Sequence, residues 1–364
     1  MNTPVKLYGL RVSYYSGKME AYLRYKEIPF EFVTLNRERM LMLRDRTGAG
    51  QMPAVELADG RIMTDTTPMI QWFEQRHPNP PVIPLDPVQR AVSLLLEDYA
   101  EEWLWRPAMH YRWSYRGDRL LLSRKIVDEF MPDIPAPGFA KRAFIRRRQW
   151  GEYVRRDGVN ATTWDHVESI YLNTLDRLEQ IFTVRPYLLG RHPTIADFGF
   201  FASMFRHFGE DPTASAIMRR RAPRVFEWQA RVWNARTSDI DGAPVNDLPD
   251  DLDPLLQDAG DAYLPYLNDN ARAWQQGLKR FNHSVQGVQY SNVPVSQYRV
   301  WCLEQLQRHA RAVPDDLQPQ LRERLQKTGC WDALFEIDNP GSGYDEAAEV
   351  PFRGRKVHYD NRVS

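Results

Sequence analysis

The sequence predicts an α+β protein in which a small α/β domain precedes an all-α helical domain and an extra helical C-terminal extension. Strand-like and helix-like segments alternate in residues 1–80. Residues 78–87, PNPPVIPLDP, contain five prolines and predict a linker, because proline is disfavoured inside helices. Helical spacing dominates residues 88–236, and further helix-like segments follow in residues 245–364. We therefore expect three parts with these boundaries.

The first 80 residues predict six elements, in the order strand, helix, strand, helix, hairpin, helix. Residues 5–10 (VKLYGL) and 28–35 (IPFEFVTL) have the composition of strands, and residues 16–27 between them have apolar side chains at helical spacing. Asp59-Gly60 lies between two apolar runs and predicts the hairpin. Residues 64–68 (TDTTP) contain the hydroxyl and carboxylate caps and the early proline of a helix start.

The segment from Gln51 to Thr66 gives the clearest functional signal. Pro53 stands at the entrance of an apolar run, and an X-Pro bond is the one peptide bond for which cis is cheap. We expect a cis Met52–Pro53 bond that leaves the Met52 N–H and C=O free for an extended ligand. Free N–H groups at the following helix start favour a carboxylate. The segment therefore predicts a site for a small peptide.

Three motifs in this order resemble the N-terminal, thioredoxin-like domain of the cytosolic glutathione transferases. They are Ser13–Met19 (SYYSGKM), Gln51-Met52-Pro53 and Asp65-Thr66. The resemblance implies that glutathione binds to all five residues of the last two motifs. It places the cysteinyl part on the Met52 backbone and the γ-glutamyl end on Asp65 and Thr66. The family usually has Glu or Gln followed by Ser at these two positions, so Asp-Thr is a conservative departure.

A second match lies in the helical part. Thr194 and Asp197, three residues apart before an apolar run, form a predicted capping box. This pattern resembles the capping box in the helical domain of the same family. The resemblance covers roughly residues 4–236 and leaves the extension unexplained.

A hydroxyl group at a helix N-terminus is the expected activator of the glutathione thiol, because a hydrogen bond and the helix dipole both favour the thiolate. The candidates near the turn from the first strand to the first helix are Ser13, Ser16, Tyr14, Tyr15 and Tyr8. Ser13 best matches the activating serine of the serine-type classes, and the others stay open. No cysteine occupies this turn, which argues against the thiol-reductase classes of the family.

The first long helix of the second domain lines the electrophile pocket in this family. We therefore expect Arg106, His110 and Tyr111 in that pocket, with Arg106 and Arg112 as contacts for an acidic or phenolic substrate. The loop at 131–138 and the basic helix at 139–150 resemble those of bacterial members that cleave β-aryl ethers.

The resemblance implies a glutathione transferase, with glutathione as co-substrate, that acts on an apolar aromatic electrophile. Aryl-ether cleavage and isomerisation are both open. The alternative is a non-catalytic binding protein that uses its extension to bind a partner. A homodimer is expected, since the family commonly forms twofold dimers.

Composition narrows the remaining classes of function. Lys plus Arg and Asp plus Glu both total 48, so no net charge favours nucleic acid or an anionic membrane. No apolar run approaches a membrane span, and the first residues lack a signal region. The only cysteines are Cys302 and Cys330, which fits a cytoplasmic protein, and no residues have metal-ligand spacing.

The extension contains large apolar residues at helical spacing, among them Trp274, Phe281 and Trp301. Such residues form an adhesive patch when they are exposed, so they are expected to pack on the helical domain or on a second subunit. We expect the extension to narrow access to the electrophile pocket.

Overall fold

The computed structural model describes residues 3–239, 248–344 and 350–354. The first part is a four-stranded sheet with three helices. Its strands are β1 Val5–Gly9, β2 Phe30–Thr34, β3 Ala54–Glu56 and β4 Ile62–Thr64, and its helices are α1 Tyr14–Tyr25, α2 Arg37–Thr47 and α3 Thr66–Glu74. The sheet order is β2-β1-β3-β4. β1 runs parallel to β2 and antiparallel to β3, and β3 is antiparallel to β4. This is the predicted thioredoxin-like order.

β1 is a central strand of this sheet, and its buried side chains belong to the core. Leu7 is fully buried and pairs with Phe32 on one side and with Val55 on the other. Because β1 ends at Gly9 and α1 begins at Tyr14, the intervening turn lies at one edge of the sheet. The turn before β3 starts near the same edge, since Tyr8 pairs with Ala54. The sheet thus brings the Ser13 and Pro53 regions together.

The second part consists of helices, as predicted. They are α4 Pro87–Asp98, α5 Trp105–Ser114, α6 Arg116–Phe130, α7 Gly138–Trp150, α8 Trp164–Val184, α9 Ile195–Ser203, α10 Pro212–Arg221 and α11 Pro223–Asn234. π-helical turns at Tyr99–Trp103, Gly151–Arg155 and Met204–Phe208 follow α4, α7 and α9. The α-helical run that starts with α4 ends at the first π-helical turn, and Pro107 lies in the first turn of α5, where proline is tolerated.

The predicted capping box is present at the start of α9. Thr194 and Asp197 exchange both hydrogen bonds, and the buried Asp197 carboxylate also accepts from the Leu188 N–H and the Trp228 Nε1–H. Burial raises the pKa of Asp197 to about 6. The carboxylate thus joins three segments of the helical part.

A buried ion cluster joins the first two parts. Lys18 of α1 has no exposed surface, and its Nζ lies 2.5 Å from Glu97 and 2.7 Å from Glu101. The Thr67 hydroxyl, at the start of α3, also donates to Glu97. Burial alone would lower the pKa of Lys18, but Glu101 and Glu97 raise it, so the ammonium stays charged. The cluster fixes α1, α3 and α4 relative to one another.

The extension contains a β-hairpin as well as helices. Its elements are α12 Asp253–Asp258, α13 Leu264–Gln275, β5 Arg280–Val285, β6 Val288–Pro294, α14 Gln297–Arg311, α15 Gln318–Lys327 and α16 Cys330–Leu334. The prediction that the extension is entirely helical is therefore wrong for residues 280–294, which form the hairpin. Residues of β5 alternate between exposed and buried, with Gly277 and Gly287 in the left-handed region at either end. The two-residue period therefore prevails over helical spacing.

The extension packs on the helical part of the same chain. Tyr263 donates a hydrogen bond to Asp98 of α4 at 2.5 Å, and α14 lies along α4. Phe281 is buried, and the Trp274 indole donates to the Gly341 carbonyl at 2.9 Å. The boundary expected at residue 245 and most of the polar tail fall outside the described residues. Among the described helices, none is both long and apolar enough to cross a membrane.

Candidate functional site

A cavity of about 440 Å³ lies where the three parts of the chain meet. Its walls come from the turn before α1, the loop before β3, the start of α3, the π-helical turn after α4, and helices α5 to α7. Seven of the predicted site residues line it: Ser13, Tyr14, Gln51, Met52, Pro53, Asp65 and Thr66. Residues that the sequence separates by more than 50 positions therefore share one cavity.

The loop before β3 presents its backbone to the cavity. The Met52–Pro53 bond is cis, as predicted. The Met52 N–H and C=O make no hydrogen bond with any residue that the structure describes. Gln51 is held in place, because its Oε1 accepts from the Thr64 hydroxyl at 3.1 Å. This leaves backbone groups of Met52 available to an extended ligand.

Asp65 occupies an uncommon backbone conformation at the start of α3. Its φ is 74°, and its side chain does not cap the helix, in contrast to the expected carboxylate cap. The carboxylate instead lines the cavity and accepts from the Tyr298 hydroxyl at 3.2 Å. Thr66 is the first helical residue and also lines the cavity. A carboxylate and the N-terminus of a nine-residue helix thus lie side by side.

Ser13 is the N-cap of α1. Its Oγ accepts from the Ser16 N–H at 3.3 Å, so its own O–H remains to donate to a group in the cavity. The side chain is half-buried and lines the cavity. Ser13 therefore combines a hydroxyl donor with the positive end of a helix.

Ser16 and Tyr8 are placed differently. Ser16 is buried, and its Oγ accepts from the Leu10 N–H at 3.4 Å beneath the backbone of Gly9. The Tyr8 hydroxyl donates to Glu56 at 2.6 Å, and burial, with Glu56, raises the pKa of Tyr8 to about 12. Neither side chain is part of the cavity wall.

Tyr14 and Tyr15, which lie between Ser13 and Ser16 in the sequence, line the cavity with their rings. The Tyr14 hydroxyl donates to the Ala100 carbonyl at 2.7 Å, and burial raises its pKa far above the ordinary value. The Tyr15 hydroxyl lies 3.3 Å from Glu102. Both hydroxyls are thus engaged with the π-helical turn, whereas Ser13 is not.

The opposite wall is apolar and aromatic. It is formed by Trp105, Met109, Trp113, Ile126, Phe130, Met131, Phe144, Ile145 and Tyr153. Arg148 is also part of this wall, with its guanidinium carbon 5.8 Å from the Tyr153 ring centroid. An apolar chamber therefore faces the Ser13 side, and Arg148 in its wall has no carboxylate partner in the described part of the chain.

The three residues expected in this chamber lie outside its wall, which corrects their assignment. Arg106 pairs with Asp157 at 3.1 Å in the interior, and His110 faces Glu168 at 3.2 Å. Tyr111 stacks on Tyr115 with the rings 5.6 Å apart. They project from the other faces of α5, whereas residues 105, 109 and 113, four apart, share the cavity face.

Arg112 reaches the cavity wall, but its donors are fully used. It donates to both Asp211 oxygens at 2.8 and 2.9 Å, to the Val12 carbonyl, to the Arg206 carbonyl and to His207 Nε2. All five N–H groups of a guanidinium are thereby satisfied. Arg112 positions the residue before Ser13 and has no donor left for a substrate.

Comparison with known proteins agrees with this geometry. Residues 7–81 match the family described as "Glutathione S-transferase, N-terminal domain". This match assigns residues 7–81 to that family of N-terminal domains. A probable maleylacetoacetate isomerase from Caenorhabditis elegans is 30% identical over 97 residues, which are 25% of this chain and 45% of that protein. A probable glutathione S-transferase from Solanum tuberosum is 26% identical over 100 residues, which are 27% of this chain and 46% of that protein. The chain thus spans about half the length of the curated relatives that it matches.

Among solved structures, the β-etherase LigF from Sphingobium sp. strain SYK-6 has a TM-score of 0.44 and 20% identity. That match covers 63% of this chain and 95% of the other.

Some residues that line the cavity were not predicted from the sequence as site residues. Glu101 and Glu102 line the cavity from the π-helical turn, and Tyr298 reaches it from α14. Two consecutive glutamates inside an apolar run were a detectable anomaly. No local pattern marks Tyr298, because its place depends on how the extension packs. Among the described residues, no cluster of three or more His, Cys, Asp or Glu side chains could hold a metal ion.

Proposed function

We propose that this chain is a glutathione transferase that attacks an apolar aromatic electrophile with the glutathione thiol. Proteins of the glutathione S-transferase superfamily, whose N-terminal domain residues 7–81 match, use glutathione as a co-substrate. The observation that carries the proposal is the composition of the cavity of about 440 Å³ that Ser13 lines. Polar groups suited to a peptide lie on one side, and an aromatic chamber lies on the other.

Glutathione is proposed to lie extended along the polar side. Its γ-glutamyl ammonium would pair with Asp65, and its γ-glutamyl carboxylate would accept from the N-terminus of α3 at Thr66. The backbone groups of Met52 would pair with the cysteinyl residue. This arrangement directs the thiol toward Ser13, which shares the cavity with all three residues.

Ser13 is proposed to stabilise the thiolate. A free thiol has a pKa near 8.5. Lowering that pKa to about 6.5 requires that the site stabilise the thiolate over the thiol by about 2.7 kcal/mol. A hydrogen bond from a hydroxyl to a charged group contributes about 1.5–3 kcal/mol, and the N-terminus of α1 adds to it. The thiol proton leaves to solvent. The thiolate then forms the new S–C bond, and the leaving group departs with the electron pair of the broken bond.

The electrophile is proposed to have an apolar aromatic body, to which an acidic group can be attached. Trp105 and Trp113 supply flat apolar surfaces, and Arg148 supplies a cation without a carboxylate partner among the described residues. Displacement and isomerisation both begin with attack of the thiolate on carbon. In displacement the leaving group takes the electron pair of the broken bond, whereas in isomerisation the S–C bond breaks again and its electron pair returns to the glutathione sulfur. The site therefore suits either reaction. Action as a homodimer in the cytoplasm is part of the same proposal. The exposed side chains of Phe139 and Trp150 on α7 offer an apolar surface for a dimer.

The test combines calorimetric titration of glutathione with turnover of a chloronitrobenzene. We expect saturable binding and enzyme-dependent product formation. Arg148→Met should raise the KM for a carboxylated aryl electrophile roughly tenfold, as expected for one lost charged hydrogen bond, and leave the KM of the uncharged analogue unchanged. Arg147→Met, on the exposed face of α7, is the matched control. Binding without turnover on chloroarenes and aryl ethers would favour a non-catalytic binding protein.

A further inference from the structure

The described residues of the C-terminal extension reach the polar side of the cavity and not the aromatic chamber. Among the described residues of the extension, the one that lines this cavity is Tyr298, and its hydroxyl lies 3.2 and 3.4 Å from the two oxygens of Asp65. This differs from the expectation that the extension narrows access to the electrophile. The contact falls on the residue assigned to the γ-glutamyl group.

Tyr298 is held in place by a buried polar framework. Ser296 caps α14, and its backbone N–H and C=O pair with the side chain of Asn270 at 2.8 Å each. The neighbouring Arg299 pairs with Glu102 at 3.0 Å in the interior. The first turn of α14 is therefore anchored to both α13 and the π-helical turn. Burial raises the pKa of Tyr298, so its hydroxyl remains a proton donor toward Asp65.

A second part of the extension contacts the residue before Asp65. The Thr64 N–H donates to the Pro351 carbonyl at 2.9 Å, and the Gly354 N–H donates to the Thr47 carbonyl at 2.8 Å. Phe352 packs edge-on against Trp72 of α3, with ring centroids 6.0 Å apart. Residues 350–354 thus contact the end of β4, the end of α2 and a side chain of α3.

Asp65 needs such support because of its backbone. A non-glycine residue with φ of 74° is strained, and such residues persist only where their surroundings over-determine them. The extension holds the preceding peptide through Pro351 and the side chain through Tyr298. Both contacts restrict the orientation of the Asp65 carboxylate toward the cavity.

We propose that the extension is a functional part of the glutathione site, in which Tyr298 and residues 350–354 position Asp65 for the γ-glutamyl group of glutathione. This inference rests on the proposed function of the cavity. Tyr298 acts here as a positioning residue, since it works through Asp65. Glutathione affinity is thereby tied to a segment more than 200 residues away in the sequence.

The test uses Tyr298→Phe in the full chain, which removes one hydroxyl and keeps the ring. We expect the Kd and KM for glutathione to rise five- to twentyfold, with kcat and the KM for a chloronitrobenzene unchanged. Tyr263→Phe is the matched control, because Tyr263 also belongs to the extension and donates to a buried carboxylate, Asp98, that is outside this cavity. It should change glutathione affinity less than twofold.

A double variant distinguishes loss of the positioning of Asp65 from a general loosening of the fold. In an Asp65→Ala background, Tyr298→Phe should have no further effect on glutathione affinity. An unchanged Kd in the single variant, or an equal loss in both backgrounds, would overturn the inference while the proposed function stands. Wild-type protein that binds no glutathione would overturn the proposed function itself. Phe352→Ala should weaken glutathione binding two- to fivefold, and an unchanged affinity would remove residues 350–354 from the site.

Discussion

At the scale of single residues, the site depends on which hydroxyl faces the cavity. Ser13 and Ser16 are separated by one turn of backbone, yet Ser13 caps α1 at the cavity wall and Ser16 is buried beneath Gly9. The sequence left the two serines and the nearby tyrosines as alternatives. Which of these hydroxyls faces the cavity depends on where β1 ends and where α1 begins.

We predict that Ser13→Ala raises the pKa of the bound glutathione thiol by about one to two, because a charged hydrogen bond of about 1.5–3 kcal/mol is lost. Ser16→Ala should leave that pKa unchanged, since its Oγ is engaged by the Leu10 N–H. Thiolate absorbance titrated against pH in both variants measures the difference. Equal thiol pKa values in wild type and Ser13→Ala would reassign the role to another donor.

Single residues on α5 show where sequence reasoning failed. Arg106, His110 and Tyr111 have the chemistry of a substrate pocket, but so do their buried neighbours, and burial is nearly complete around this helix. A π-helical turn precedes it, and one extra residue rotates the following face by about 100°. The sequence predicts the helix but gives no sign of that rotation.

At the scale of elements, local sequence signals were sufficient for loops, turns and helix caps. The Gln51–Pro53 loop, the Asp59-Gly60 hairpin and the Thr194–Asp197 capping box all formed as predicted, because their geometry depends on neighbouring residues. The β5–β6 hairpin was not predicted, although the residues of β5 alternate between exposed and buried. Large apolar residues at helical spacing favour a helix in this segment, whereas Gly277 and Gly287 permit the turns on either side of β5.

The contact between the first two parts gives a stability prediction. Lys18→Met should lower the free energy of unfolding by about 3–5 kcal/mol, because it leaves Glu97 and Glu101 buried without their cation. Urea denaturation measures this loss. Lys6→Met is the control, since the Lys6–Glu56 pair is about half exposed on the lysine side and should contribute under about 1 kcal/mol. Equal losses in the two variants would contradict a structural role for the buried cluster.

At the scale of the whole molecule, the extension completes the fold. Its presence was evident from its apolar residues, but its contact with the polar end of the cavity could not be predicted, since that contact joins residues far apart in the chain. Tyr263 and Arg299 of the extension cover buried carboxylates of the helical part, Asp98 and Glu102. Burial raises the pKa of Asp98 to about 8.

We predict that a chain ending at residue 239 loses thermal stability. Removing the extension exposes apolar surface of α4 and leaves Glu102 without Arg299. We expect the Tm to fall by roughly 10 °C or more, because each kcal/mol shifts Tm by about 2–4 °C in a protein of this size. Calorimetry of the two chains measures the shift. A shortened chain that is equally stable would show the extension to be an independent appendage.

The central claim is that Asp65 and the start of α3 receive the γ-glutamyl group of glutathione. Calorimetric titration of glutathione and of cysteinylglycine, which lacks that group, tests it most directly in wild type and Asp65→Ala. Wild type should prefer glutathione. The variant should lose about 1–3 kcal/mol of that preference and bind cysteinylglycine as wild type does, because only the contact with the γ-glutamyl group is removed. An undiminished preference for glutathione in the variant would contradict the claim.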